Sequence, residues 1–242
     1  MSSSCAAARP SRGDVTARAP QIVAFGGGVD EPLREFVLRL TGVETPRVLY
    51  LPTAQGDSDA AIARFYEAFG TERCRPSHLR LFGIPPRGIR ELVLAQDLVY
   101  VAGGNTANML AIWRVHGLDT ILREAWEAGV VLAGVSAGSI CWFEEGVTDS
   151  FRAELDGLPC LGFLPGSNCP HYDGEPRRRP AYRELVGGGF PAGLAADDAC
   201  GLVFHGTTFA EAVASAPGAG AYRVQLVDGA VQETPLPARM LT

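Results

Sequence analysis

Charged residues and long apolar runs are both scarce in this sequence. Asp, Glu, Lys and Arg supply only 20% of the 242 residues, and the formal net charge is −6. So low a charged fraction, beside a hydrophobic fraction of 47%, argues against a disordered chain. The negative average charge repels a phosphate backbone, so we expect no nucleic-acid partner. No apolar run reaches the roughly 18 residues that a membrane-spanning helix needs, so we expect no membrane partner either.

Paired cysteines and metal-binding motifs are also lacking. The six cysteines are scattered, without a C-x-x-C pair or a spacing that brackets a metal ion. They are typical of small buried side chains, and the sequence predicts neither a metal nor an organic cofactor.

The first 19 residues contain no apolar segment of the kind found in secretory signals. They are rich in Ala, Ser and Arg, so we predict a flexible tail over residues 1–19 and a single domain over residues 20–242. The default compartment for such a chain is the cytoplasm. A homodimer is compatible with the sequence, but no segment specifies one.

Short apolar strands alternate with helical patterns through the first half of the chain. This alternation predicts an α/β fold with a mostly parallel, doubly wound sheet and helices on both faces. After Cys141 the pattern weakens, and we predict loops as far as about Gly189 and short strands beyond it. The predicted strands cover residues 21–25, 47–51, 79–82, 98–101 and 130–133, and the clearest helices cover 31–40 and 118–128.

A serine stands at the centre of a G-x-S-x-G motif, directly after the most apolar predicted strand. The motif reads GVSAGS over residues 134–139 and places Ser136 between a strand and a helix. In such an elbow the backbone of the serine is strained and its hydroxyl points out of the sheet. The plain alternative is a tight turn that only starts a helix. Ser139 is a second candidate nucleophile, but it falls inside the helix and is less well aimed.

A nucleophilic serine needs a base, and His171 is the strongest candidate among the four histidines. It lies in a segment rich in Gly, Pro and polar residues, and such loops carry function more often than packing. The other three histidines fall in ordinary helix, loop or hairpin surroundings.

Three segments together resemble the peptidase E (S51) family of serine peptidases, which includes dipeptidase E and the related cyanophycinases. They are VAGGNT at 101–106, GVSAGS at 134–139 and PHYDGE at 170–175. The resemblance extends from residue 21 to about residue 211. It implies a class I glutamine amidotransferase-like sheet that carries a Ser-His-acid triad. Ser136 would attack the scissile carbonyl, and His171 would take the proton and return it to the leaving amine.

The resemblance also implies the groups around the reacting carbonyl. The N–H of Gly103 or Gly104, together with that of Ala137, would bind the oxyanion. Asn105, in the same GGNT motif, would contact the substrate.

The acid of the triad is the least determined member. In dipeptidase E a glutamate follows a Gly-Leu dipeptide, and here that place reads GLAADDA over residues 193–199. Counting back from the strand that follows, we favour Asp197 and keep Asp198 as an alternative. A cyanophycinase-like arrangement would use Glu154 instead. Asp173, two residues after His171, is a third alternative.

Dipeptidase E prefers an N-terminal aspartate, which requires a cation to pair with the substrate carboxylate. The run RRR at 177–179 follows the His171 segment, and the family's arginine aligns with Arg178. The resemblance therefore implies a small peptide substrate, of the Asp-Xaa type if Arg178 binds its side chain. A solvated basic turn is the plain alternative. Other N-terminal specificities and a β-aspartyl-arginine link stay open, because the histidine motif and the acid differ from those of dipeptidase E.

Three other functions fit less well. A cysteine nucleophile, as in class I amidotransferases, would have to be Cys141 or Cys169, and neither stands at the elbow. The glycines at 26–28 follow a strand, but the sequence lacks both G-x-G-x-x-G and a P-loop, so they are better explained as room for the chain beside the active site. A catalytically inactive binding protein of the same fold is the third alternative.

Overall fold

A computed structural model describes residues 19–242. The predicted tail therefore lies almost wholly outside the described residues. In chain order the strands are β1 Gln21–Phe25, β2 Arg47–Leu51, β3 Arg75–His78, β4 Leu98–Val101, β5 Val131–Val135, β6 Phe143–Thr148, β7 Asp156–Pro159, β8 Leu164–Cys169, β9 Gly193–Ala196, β10 Cys200–His205, β11 Thr208–Ala214, β12 Ala221–Val227, β13 Ala230–Leu236 and β14 Ala238–Met240. The helices are α1 Glu31–Leu40, α2 Asp59–Ala68, α3 Ile89–Leu94, α4 Thr106–Val115, α5 Leu118–Glu127, α6 Ala137–Ile140 and α7 Arg178–Gly187.

The main sheet has eight strands in the order β14-β11-β10-β1-β5-β4-β2-β3. The run from β1 to β3 is parallel throughout, and β10 joins β1 antiparallel. Because both faces of these strands are covered, their side chains divide between two cores. Ile22 and Ala24 pack with α4 and α5 on one face, whereas Val23 and Phe25 pack with α1 and α2 on the other. The predicted doubly wound α/β fold is confirmed.

A second sheet of six strands, in the order β13-β12-β9-β8-β6-β7, was not expected from the sequence. The prediction of loops between residues 141 and 189 is wrong, since β6, β7, β8 and α7 lie there. Strand β8 has the composition of a turn, but Ser167 and Asn168 are fully buried. Their side chains donate to Pro191 O at 2.6 Å and Leu194 O at 3.1 Å, so the polar groups are satisfied within the sheet.

The strand predicted at residues 79–82 is also misplaced. The observed strand is β3, Arg75–His78, a polar edge strand that pairs only with β2. Leu79 and Leu81 are buried just beyond its end, which explains why their hydrophobicity suggested a strand there. No helix within residues 19–242 combines the length and the apolar character needed to cross a bilayer.

Candidate active site

Ser136 occupies the sharp turn between β5 and α6. Its backbone has φ 56° and ψ −112°, a region that costs a non-glycine residue free energy and that clusters at functional sites. Its N–H donates to Phe25 O at 3.2 Å, which ties the turn to the end of β1. The turn therefore has the strained strand-to-helix geometry that the G-x-S-x-G motif predicts.

Small residues make this turn sterically feasible. A Cβ on Gly134 would lie 2.4 Å from Gly138 O, and a Cβ on Gly138 would lie 2.5 Å from Val101 O. Both distances are far below a normal contact, so glycine is required at each position if the backbone is to stay in place. Ser139, the second candidate nucleophile, is fully buried and donates to Asn168 Oδ1 at 2.9 Å. Its hydroxyl therefore links α6 to β8 of the second sheet and does not face solvent.

Two backbone segments lie beside the serine. A Cβ on Gly103 would lie 3.7 Å from Ser136 Oγ, so the segment just after β4 passes beside the hydroxyl. Ala137 is the first residue of α6, and its N–H has no partner within the helix. Gly104 has φ 136° and packs against Ala54, where a Cβ would lie 2.2 Å from the carbonyl oxygen. Gly103 and Ala137 thus flank Ser136 from neighbouring strand ends.

His171 and Asp198 form a hydrogen-bonded pair. The distance between His171 Nδ1 and Asp198 Oδ1 is 2.7 Å, and the two side chains are 21% and 42% exposed. With Nδ1 engaged, Nε2 at the opposite side of the ring is available to accept a proton. His171 itself has φ 53°, so both it and Ser136 adopt backbone conformations unusual for their residue types. Within residues 19–242 no hydrogen bond joins Ser136 Oγ to His171.

Asp197, favoured from the sequence as the acid, does not contact His171. Its side chain is only 2% exposed, and its Oδ2 accepts from Gly220 N at 2.9 Å and from Tyr222 OH at 3.3 Å. Burial raises the pKa of Asp197 above the ordinary aspartate value. The choice of Asp197 assumed that side chains alternate regularly in the residues before β10. Ala199 has φ 58°, so this alternation is interrupted between Asp198 and β10. Asp198, the alternative acid, is the residue that hydrogen-bonds to His171.

The other two alternative acids have different surroundings. Asp173 Oδ1 accepts from the backbone N–H of Asp198 at 2.8 Å, so Asp173 holds the segment that carries Asp198. Glu154 is exposed in a bend before β7, and within residues 19–242 it makes no contact with His171. Neither carboxylate is placed to accept from the histidine ring.

Gly27 provides the space in which the His171–Asp198 pair fits. A Cβ on Gly27 would lie 2.0 Å from Asp198 Oδ1 and 2.5 Å from both Nδ1 and Cε1 of His171. The backbone of Gly27 also pairs with Asp198, and its carbonyl accepts from Ala199 N at 2.8 Å. At this position a glycine leaves room for His171 and Asp198, as the interpretation of the glycines at 26–28 expects.

We expect Gly27→Ala to lower kcat/KM for any substrate by about 100-fold, because a displacement of about 1 Å in an active site costs that much. The added methyl group would collide with the imidazole and the carboxylate and separate them. Steady-state kinetics, together with a urea titration to show that the variant is folded, would measure this. Gly83→Ala is the comparison, since a Cβ there would meet nothing within 4 Å and Gly83 does not have a positive φ. An unchanged kcat/KM in Gly27→Ala would contradict the assignment of the pair.

Arg178, predicted to bind a substrate carboxylate, is buried instead. Its side chain is 4% exposed, with Nε donating to Glu175 Oε2 at 2.7 Å and Nη1 donating to Val147 O at 2.9 Å. The guanidinium therefore links α7 to β6 and presents almost no surface to a ligand. Burial by itself would raise the pKa of Glu175, but the hydrogen bond and charge of Arg178 lower it below the usual value.

We expect Arg178→Met to destabilise the protein by about 1–3 kcal/mol, because Val147 O loses its donor and Glu175 its partner. Selectivity between Asp-led and neutral-led peptides should not change. The free energy of unfolding in urea and the ratio of kcat/KM for two such peptides are the measurements. A selective loss of the acidic substrate in a variant of unchanged stability would restore the substrate-binding role of Arg178.

Asn105 acts as a helix cap. Its Oδ1 accepts from Asn108 N at 2.8 Å, and its Nδ2 donates to Ser150 O at 2.9 Å. Both ends of the amide are thus used to start α4 and to hold the loop after β6. No contact in the structure directs this side chain toward Ser136, so a substrate contact stays a prediction.

The two cysteines weighed as nucleophiles are fully buried. Burial raises the pKa of Cys169 to about 12 and raises that of Cys141 well above the ordinary thiol value. A thiolate is the reactive form of cysteine, so neither residue suits nucleophilic attack at neutral pH. Within residues 19–242 no group of His, Cys, Asp and Glu side chains is arranged to hold a metal ion.

A network of polar and aromatic side chains holds the residues next to His171 and Asp198 in the chain. Tyr172, next to His171 in the chain, donates to Glu233 Oε2 at 2.5 Å. Arg179 pairs with the same carboxylate and lies 4.9 Å from the ring centroid of Tyr222, which in turn bonds to Asp197. The neighbours of both His171 and Asp198 are therefore held by the β12–β13 hairpin.

Comparison with known proteins gives one family and several relatives. A model of peptidase family S51 matches residues 22–212. The uncharacterized peptidase YgaJ of Bacillus subtilis (strain 168) is 51% identical over 228 residues, which cover 91% of this chain and 99% of that protein.

Two solved structures share the fold. The crystal structure of a peptidase from an acI-B1 actinobacterium superposes with a TM-score of 0.68 at 19% identity, covering 92% of this chain and 96% of that one. A putative peptidase E protein from Listeria monocytogenes EGD-e gives a TM-score of 0.64 at 15% identity, covering 82% of this chain and 100% of that one.

Proposed function

The chain belongs to peptidase family S51, and on that basis we propose that it is a serine exopeptidase that releases the N-terminal residue of small peptides. The proposed triad is Ser136, His171 and Asp198. The observation that carries the proposal is the 2.7 Å hydrogen bond between His171 Nδ1 and Asp198 Oδ1, at the same sheet edge as the strained turn of Ser136.

In the proposed reaction Ser136 Oγ attacks the carbonyl carbon of the scissile peptide bond while His171 Nε2 removes its proton. The carbonyl oxygen becomes an oxyanion that accepts from the N–H groups of Gly103 and Ala137. Asp198 holds the imidazole in one tautomer and stabilises the imidazolium. The imidazolium then protonates the leaving amine. Water hydrolyses the acyl-enzyme by the same groups and regenerates the serine.

The missing hydrogen bond between Ser136 Oγ and His171 is compatible with this scheme, because catalytic hydrogen bonds often tighten only when substrate binds. The preference for a short peptide and a free N-terminus is supported by the resemblance of the segments at 101–106, 134–139 and 170–175 to those of dipeptidase E. We also propose that the enzyme acts in the cytoplasm. Immunoblotting of cell fractions tests this, and recovery of the protein from a secreted or membrane fraction would contradict it.

A peptide panel tests the proposal directly. Dipeptides and tripeptides led by Asp, Ala, Leu or Lys, each with a free and with an acetylated N-terminus, are incubated with the protein and analysed by mass spectrometry. We expect loss of the first residue from free peptides only. Cleavage of acetylated or internal bonds would contradict an exopeptidase. Because Arg178 is buried, we expect no strict requirement for Asp, and a β-aspartyl-arginine dipeptide in the same panel tests the cyanophycinase-like alternative.

The serine mechanism has a separate test. A peptidyl phosphonate that reacts with activated serines should label the protein once, and tandem mass spectrometry should place the label on Ser136. Labelling should be prevented in Ser136→Ala. A label on Cys169 or on no residue, together with peptide turnover, would reject the proposed nucleophile.

A further inference from the structure

A cavity of about 140 Å³ lies on the face of the main sheet that α1 and α2 cover, apart from the His171–Asp198 pair. Its floor is formed by Tyr50 of β2 and Tyr100 of β4, which are paired neighbours in the sheet. Phe65 of α2 stacks on Tyr50 with ring centroids 4.5 Å apart. The floor and one wall of the cavity are therefore aromatic.

Two arginines line the same cavity, Arg34 from α1 and Arg64 from α2. Neither forms an ion pair within residues 19–242, although half of the arginines in that range do. Arg34 Nη1 donates to Val29 O at 2.9 Å, but its Nε is buried and has no hydrogen-bond partner. A buried donor without an acceptor is costly, so this N–H calls for an acceptor that the chain does not supply.

Two tyrosine hydroxyls add further donors to the cavity, and the amide of Gln55, which can donate and accept, also lines it. Burial raises the pKa of Tyr50 and of Tyr100, so both hydroxyls stay neutral and can donate. Among residues 19–242 no Asp or Glu side chain lines the cavity. Guanidinium and hydroxyl donors over aromatic rings suit a flat anion, and a carboxylate matches the fork of an arginine.

We propose that this cavity binds the carboxylate of a small organic acid, with an apolar part of the ligand against Tyr50 and Phe65. An engineered cavity of about 150 Å³ holds benzene, so the volume suits a group of that size. Val29, at the rim, is two residues from Gly27, which contacts the His171–Asp198 pair. The ligand carboxylate could therefore come from a bound peptide or from a separate acid. The binding itself does not depend on hydrolysis.

Calorimetric titration of the full-length protein with benzoate and with benzamide tests the charge requirement. The two ligands have the same shape, but only benzoate is an anion. We expect saturable binding of benzoate, at least about tenfold tighter than that of benzamide, because charge-assisted hydrogen bonds are lost in the amide. Equal affinity for the two, or no binding of benzoate, would overturn the proposal.

Variants locate the site. Arg34→Met and Arg64→Met should each weaken benzoate binding at least about tenfold. Arg64 is exposed, so its replacement does not threaten the fold, and Arg39→Met on the exposed side of α1 is the matched control. Weakening by Arg39→Met equal to that by Arg64→Met would show general charge attraction and overturn the site.

A displacement titration identifies the source of the carboxylate. Ser136→Ala protein saturated with benzoate is titrated with the dipeptide Ala-Phe and with its C-terminal amide. Displacement by the acid but not by the amide assigns the cavity to the peptide substrate. Binding of the peptide without displacement assigns it to a separate acid. Both results support the carboxylate site, and both are obtained whether or not the wild-type protein proves to be a peptidase.

Discussion

Ser136→Ala is expected to lower kcat for every peptide substrate by roughly 10⁵- to 10⁶-fold, as loss of a catalytic serine does in a triad enzyme. The expectation rests on the turn geometry, in which φ 56° directs the Ser136 hydroxyl away from the sheet and beside Gly103. KM should change little, because the removed oxygen makes its bond only in the reaction. Single-turnover and steady-state kinetics on the purified variant measure the effect.

Ser139→Ala is the matched control, because Ser139 lies three residues away in the same segment. Its hydroxyl bonds to buried Asn168, so the variant should lose about 1–3 kcal/mol of stability and keep kcat within about tenfold. The opposite pattern, an active Ser136→Ala and an inactive but folded Ser139→Ala, would identify Ser139 as the nucleophile.

Asp198→Asn is expected to lower kcat by about 10⁴-fold, because the amide favours the wrong tautomer of the histidine it contacts. The side chain keeps its size, and Asp198 is 42% exposed, so the fold should be unaffected. Kinetics across the pH range are the measurement. A variant that retains more than about a tenth of wild-type kcat would show that the 2.7 Å contact does not serve the reaction.

Asp197→Asn separates the two neighbouring carboxylates. Asp197 accepts from Gly220 N and Tyr222 OH, and the amide oxygen of asparagine can accept from both. Since burial already raises the pKa of Asp197, a neutral side chain should be tolerated there and kcat should change by less than about tenfold. Equal losses in the two variants would point to a shared structural role.

The sequence was sufficient to place the strand-to-helix turn, because its determinants are local. An apolar strand, the flanking glycines and the serine lie within ten residues, and the structure has β5 and α6 on either side of Ser136. The alternation of strands and helices was equally local, and the main sheet followed from it. These features depend on steric and hydrophobic patterns that a short segment contains in full.

Other features depend on contacts between distant segments and could not be predicted. Whether Asp197 or Asp198 faces His171 depends on the left-handed backbone of Ala199, whose N–H donates to Gly27 O just beyond β1. Arg178 was assigned from its charge and from its alignment with the family's arginine, whereas its burial depends on Val147 and Glu175. Strand β8 was missed because its Ser and Asn look like turn residues until their partners are known.

The components of the proposed triad come from different layers of the fold. Ser136 follows a strand of the main sheet, His171 follows β8 of the second sheet, and Asp198 lies between β9 and β10, where the chain passes from the second sheet to the main one. A nascent chain that has not reached residue 198 therefore carries a serine without its activating pair. Peptide hydrolysis by the proposed triad would begin only after residues carried by both sheets have come together.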